Sequence, residues 1–157
     1  MAVLAALKRC DVLLGLTDGD LAKIANLPSS REEAYQIGET IFEEGDVAEN
    51  LYLLDEGKVN LTMEVGPYPL PAAVVETVTK GGVFGWSALV VPHILTHSAI
   101  CVERCRVITI KGKELTNLMD DEPGIGYEIM KGLMRVISSR LRNTQRLIIS
   151  SGQTMIL

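Results

Sequence analysis

Histidine is almost absent from this chain of 157 residues: His93 and His97 are the only two. A histidine-based metal centre or cupin-type cluster therefore lacks its ligands. Cysteine is equally scarce. Cys10, Cys101 and Cys105 are odd in number and irregular in spacing, which is no disulfide framework. Cys101 and Cys105 lie four apart on what reads as one strand, facing the same way, and small buried hydrophobes are the expectation. Aromatic residues are 4% of the chain, with one tryptophan. No apolar run reaches the roughly 18 residues of a membrane-spanning helix. The N-terminal MAVLAALKRC has its positive charges after its apolar run, the reverse of a secretory leader, and a cytoplasmic protein is the expectation. There is no excess of positive charge either. The net charge is −5, so no general attraction to nucleic acid is expected. Lys131, Arg135, Arg140, Arg142 and Arg146 crowd the C-terminal third, where they read as a solvated helix face. No nucleophile–base pair or paired acids stand in glycine-marked loops, so an enzyme is not expected.

What is present is a globular composition, 47% apolar and 22% charged, in a length suited to one domain. Residues 1–30 read as a helical segment. A short helix near the N-terminus is followed by Thr17-Asp-Gly-Asp20, a capping pair ahead of Leu21, Ile24 and Ala25, with Pro28 past the end. From 31 to 112 the pattern changes to short strands between glycines. Val59, Leu61 and Met63 alternate with Asn60, Thr62 and Glu64, as in a half-buried strand. Turn residues about every 8 to 12 positions predict an all-β sandwich or barrel. Gly45 and Gly57 fall at corners where a positive φ is expected. The loop 64–73 holds Pro67, Pro69 and Pro71, which cannot belong to a central strand.

Residues 113–150 read as helical, with a tail at 151–157. Asp120-Asp-Glu-Pro123 suits the start of a long helix, through its acidic residues and its proline in the first turn. Along that helix Tyr127, Met130, Met134, Ile137, Leu141, Thr144 and Ile148 are spaced three and four apart, a coiled-coil seam. A second apolar set, Ile129, Leu133 and Val136, points elsewhere. Two apolar faces need two partners: the body of the protein and a second copy of the helix. Gly132 weakens the helix but permits close approach.

The stretch Lys80–Cys101, KGGVFGWSALVVPHILTHSAIC, places glycines before a short helical turn at Ser87-Ala88-Leu89. Glycine lets a ligand approach the backbone, and the first N–H groups of a helical turn point at an anion. This stretch resembles the phosphate-binding cassette of cyclic-nucleotide-binding domains, the effector domain of Crp/Fnr regulators. Phe84, Gly85, Ala88, Leu89, Ser98 and Ala99 match its pattern. The run from Gly38 to Val59, GETIFEEGDVAENLYLLDEGKV, matches the same family almost position by position. The resemblance covers roughly residues 14 to 148.

It implies a mainly β fold with flanking helices: a double-stranded β-helix (jelly-roll) barrel followed by a long C-terminal dimerisation helix. It also implies a sensor or regulatory module for a cyclic nucleotide or other small anionic ligand, acting as a homodimer through the C-terminal helix on an unidentified protein partner. The cassette set is Phe84, Gly85, Trp86, Ser87, Ala88, Leu89, Thr96, His97, Ser98 and Ala99. Two positions depart from the family. Trp86 stands where the family has a ribose-binding Glu, and His97, or Thr96 in a loop counted one shorter, where it has a phosphate-binding Arg. Cyclic-nucleotide binding should therefore be weakened or altered. An interaction scaffold with Trp86 filling the pocket is the alternative. Protonation of His97 below pH ~6.5 is a route to restored anion affinity. The family's transcription regulators continue into a winged helix-turn-helix; only SSGQTMIL follows the long helix here, so specific DNA binding by this chain is not expected, and neither is a membrane role.

Overall fold

The structure, a computed structural model, describes residues 2–67 and 72–150. Part of the proline-rich loop and the tail lie outside the described residues. The N-terminal segment is helix α1 (Ala2–Lys8), a 3₁₀ turn (Asp11–Leu13) and helix α2 (Asp18–Ala25). At the start of α2 the Thr17 hydroxyl accepts from the Asp20 N–H while the Asp20 carboxylate accepts from the Thr17 N–H, both at 3.2 Å. The short Asp side chain does close the capping box.

Among the described residues eight strands follow: β1 (Arg31–Tyr35), β2 (Thr40–Phe42), β3 (Asn50–Glu56), β4 (Val59–Met63), β5 (Ala73–Val78), β6 (Val83–Phe84), β7 (Ser98–Cys101) and β8 (Cys105–Lys111). They form two antiparallel sheets ordered β1-β8-β3-β6 and β2-β7-β4-β5. These are the two halves of a jelly roll, lying face to face without closing into one continuous hydrogen-bonded barrel. Gly45 and Gly57 turn at φ +91° and +97°. At Gly57 a Cβ would also sit 2.4 Å from the Arg104 carbonyl, so the corner tolerates no side chain. Thr62, expected on the solvent side of β4, is buried; a register shift between Leu61 and Thr62 breaks the alternation there.

Cys101 and Cys105 do not share a strand. Cys101 ends β7 in one sheet and Cys105 begins β8 in the other. The turn between them brings both thiols into the interior, where all three cysteines are free and buried. Burial pushes the Cys101 and Cys10 thiols up to about 12, which keeps them protonated.

Two hydrophobic cores result. Phe42, Leu54, Val59, Leu61, Phe84, Ala99 and Val107 fill the space between the sheets. On the other side of the first sheet, Leu51, Leu53, Ile108 and Ile110 pack against Leu7, Val12, Ile24, Leu115, Ile129 and Leu133 of the helical layer. That layer is completed by α3 (Gly112–Asp121) and α4 (Pro123–Ser150). At 28 residues α4 is about 42 Å long. Its Ile129 and Leu133 are buried, as the second apolar set predicts, although they share their core with the N-terminal segment as well as the sheet. A Cβ on Gly132 would lie 2.2 Å from the Val12 carbonyl oxygen, so the glycine does permit the close approach. Asp55 is buried at the end of β3 between the guanidinium groups of Arg9 (2.5 Å) and Arg106 (3.0 Å), tying the N-terminal segment to the first sheet. Among the described residues, no helix is long and apolar enough to cross a membrane.

Candidate functional site

The cassette begins where β6 meets Gly85. Gly85 adopts φ +75°. A Cβ there would come 2.8 Å from the Tyr52 ring and 3.1 Å from the Asn50 carbonyl, so two constraints demand glycine. Residues Trp86–Leu89 form a 3₁₀ turn. The Ala88 N–H donates to the Gly85 carbonyl at 3.2 Å and is thereby used within the turn. His93 Nδ1 donates to the Ser87 carbonyl at 2.9 Å and closes the loop beneath it.

The ten cassette residues separate into four groups. Gly85, Trp86, Ser87, Thr96 and His97 converge on one small cavity together with Phe42, Leu61, Leu95 and Arg140. Phe84 and Ala99 are core residues, fully buried; the Phe84 ring stacks on Tyr52 at 5.2 Å. Ala88 and Leu89 line a separate surface cleft of about 630 Å³ with Val47, His93 and Lys111. The Ser98 hydroxyl accepts from the Glu44 N–H at 2.9 Å and borders a third, acidic cleft with Glu43, Glu44 and Glu64. No cluster of metal-ligating side chains occurs among the described residues.

The central cavity is nearly full. About 20 Å³ remains, room for roughly one water, whereas ligand pockets run to about 300–1,000 Å³. Two large side chains form part of its wall. Trp86 is one, and Arg140 of α4, which the sequence placed on a solvated face, is the other. The Arg140 side chain is only 17% exposed. It forms an ion pair with the Glu76 carboxylate of β5, and its Nη2 donates to the Val83 carbonyl at 2.7 Å. Its guanidinium carbon lies 4.2 Å from the centre of the Trp86 ring. Burial lowers the Arg140 pKa, and Glu76 opposes that shift. Beyond this wall a larger cleft of about 540 Å³ runs between β4, β5 and α4, bordered by Glu76, Trp86, His97, Ile137, Arg140 and Leu141.

His97 does not stand ready as an anion-binding charge. Burial lowers its pKa first, the Arg140 charge lowers it further, and Glu44 only partly opposes them. The imidazole is neutral near pH 7, with Nδ1 3.0 Å from the Thr96 hydroxyl. Arg140 and Glu76 were not singled out in the sequence. A faint indication existed: Arg140 lies three residues after Ile137 and four before Thr144, on the edge of the seam.

Fold and cassette together define a regulatory ligand-binding module. The match to the model of the cyclic nucleotide-binding domain over residues 32–122 makes the assignment: this chain belongs to that family. It is 34% identical over 83 residues to a cAMP-dependent protein kinase regulatory subunit from Eremothecium gossypii, covering 53% of this chain and 16% of that protein. The chain spans 16% and 26% of the length of the first curated relatives it matches. Among solved structures, a candidate cyclic nucleotide-binding protein from Geobacter metallireducens is 30% identical with a TM-score of 0.76, over 90% of this chain and 99% of that one. A cyclic nucleotide-binding domain from Methylobacillus flagellatus shares the fold at a TM-score of 0.82 and 14% identity, over 99% and 85% of the two chains.

Proposed function

We propose that this chain is a non-enzymatic, dimeric regulatory module of the cyclic-nucleotide-binding type with a weakened site for cAMP and cGMP. The observation that carries this reading is the small size of the cassette cavity, which Trp86 and Arg140 help to wall in. A cyclic phosphate brings one negative charge and would meet the open backbone N–H groups of the 3₁₀ turn and the hydroxyls of Ser87 and Thr96. Arg140 is already committed to Glu76 and Val83, and His97 is neutral. Lacking one charge-assisted buried hydrogen bond costs about 1.5–3 kcal/mol, roughly ten- to hundredfold in affinity.

Titration of Trp86 fluorescence and calorimetry with cAMP and cGMP test the reading. Weak saturable binding is expected; a Kd of about 1 μM or tighter, some −8 kcal/mol, overturns it. The second reading, a scaffold that binds no nucleotide, is favoured by the partly buried Trp86 packed beside the guanidinium. It predicts no heat and no fluorescence change up to about 1 mM ligand.

The seam Tyr127, Met130, Met134, Ile137, Leu141, Thr144 and Ile148 is the proposed dimer contact. Tyr127, Met134 and Leu141 are 65%, 70% and 57% exposed, an outward apolar row that a second copy of α4 would cover. Light scattering should show a dimer that Met134→Glu with Leu141→Glu converts to monomer; a monomeric parent chain refutes it. With a net charge of −5 there is no electrostatic drive toward DNA, so the output of the module is assigned to a protein partner.

A further inference from the structure

We infer that the space between β5 and the 3₁₀ turn is a guanidinium-binding site, occupied from within the chain by Arg140. The groups around that side chain are those a planar cation requires. The Glu76 carboxylate supplies the charge, the Val83 carbonyl a second acceptor at 2.7 Å, and the Trp86 ring a flat π face at 4.2 Å. A carboxylate, a carbonyl acceptor and an aromatic face around one side chain suit guanidinium better than ammonium. His97, the other titratable group on the cavity, adds no competing positive charge near neutral pH.

The other basic residues of α4 set Arg140 apart. Lys131, Arg135, Arg142 and Arg146 are exposed on the same helix, while Arg140 is drawn inward to partners 64 and 57 positions away in sequence. Its guanidinium also lies at the boundary between the 20 Å³ remnant and the 540 Å³ cleft, both of which it borders with Leu61, Trp86 and His97. Withdrawal of Arg140 merges the two spaces and leaves Glu76 and Trp86 facing a vacant, cation-selective site. The ligand class that fits is a guanidinium compound: the site's own arginine, or a small molecule or peptide arginine that replaces it. This inference stands apart from the nucleotide reading, because its recognition chemistry has the opposite sign.

The test removes the internal occupant from the full chain and supplies its head group in solution. Arg140→Ala is titrated with methylguanidinium chloride against sodium chloride at equal ionic strength. Trp86 emission and thermal stability are followed. The expected result is a saturable emission change and a Tm rise of about 3–6 °C at tenfold excess over Kd. Wild type, whose site is filled, should not respond, and neither should Glu76→Gln with Arg140→Ala. No saturable response in Arg140→Ala, or an equal response in wild type or the double variant, overturns the inference. If Arg140→Ala does not fold, Arg140→Lys serves. It keeps the charge but loses the planar fork, so methylguanidinium should displace it with the same emission change; silence there also overturns the inference.

Discussion

Gly132→Ala isolates the contact that sets where α4 stands. The new Cβ would lie 2.2 Å from the Val12 carbonyl oxygen, 2.9 Å from its carbon and 3.0 Å from its Cα. These are backbone atoms that cannot rotate away. Ordinary contact distance is recovered only if the helix and the 3₁₀ turn separate by about 1 Å. Alanine improves helix propensity by about 0.8–1.0 kcal/mol, whereas overpacking of this kind costs about 1–3 kcal/mol. The clash wins because its partner is main chain, which puts its cost in the upper part of that range, at about 2–3 kcal/mol, and a net loss of about 1–2 kcal/mol is expected, a fall in Tm of about 2–8 °C. The effect should travel. Arg140 lies eight residues further along, about 12 Å, and its 2.7 Å bond to Val83 ceases to be a hydrogen bond near 3.6 Å. Denaturant unfolding combined with acrylamide quenching of Trp86 should therefore report lower stability and a more accessible indole in the folded state. A variant as stable as the parent, with unchanged quenching, refutes the assigned packing and its link to the site.

Three further outcomes are expected. Because burial and Arg140 hold His97 below its ordinary value of 6.5, the unfolded chain takes up its proton first as pH falls. Its contribution to stability is complete above about pH 6.5 and is lost as pH drops toward the folded-state value; His97→Gln should flatten the stability profile just below about pH 6.5, and an unchanged slope refutes this. For Asp55, burial raises the carboxyl pKa, but the hydrogen bonds and charges of Arg9 and Arg106 outweigh it and hold the group low. Asp55→Asn should cost about 1–2 kcal/mol in urea melts at pH 7, discounted because the two arginines are 46% and 38% exposed, and the loss should shrink below about pH 4 as the parent carboxylate protonates. Gly85→Ala should destabilise the cassette by forcing a positive φ beside Tyr52; an unchanged Tm and Trp86 emission would refute that constraint.

The fold was legible where a single residue type answers a local backbone demand. Gly45 and Gly57 marked corners through φ, Thr17 and Asp20 marked a helix start, and the spacing of Ile129 and Leu133 marked a buried face. The cassette's 3₁₀ turn was legible for the same reason. What decides its chemistry was not. Arg140 and Glu76 meet across 64 residues, and only its place on the edge of the seam distinguishes Arg140 from Arg142 or Arg146. Asp55 is hidden likewise, since Arg9 and Arg106 reach it from 46 residues before and 51 residues after it. The cysteines misled through a turn: spacing of four on one strand implies a shared face, but the chain reverses between Cys101 and Cys105 and enters the other sheet.

The two cores bear on how the molecule can be handled in pieces. The first sheet is apolar on both sides. Leu51, Leu53, Ile108 and Ile110 pack against the helical layer, together with Val83, Trp86 and Leu89, on the side away from the sandwich interior. Cutting the chain at residues 31 and 112 would leave eight strands able to pair and a sandwich core able to fill. It would also hand water four large aliphatic side chains, each worth about 1.5–3 kcal/mol when buried. Such a fragment is a sheet with an adhesive back, predisposed to stack on its own kind. A soluble, minimal version of this domain therefore keeps α1, α2, α3 and about the first two-thirds of α4, and trims only from Arg142 onward.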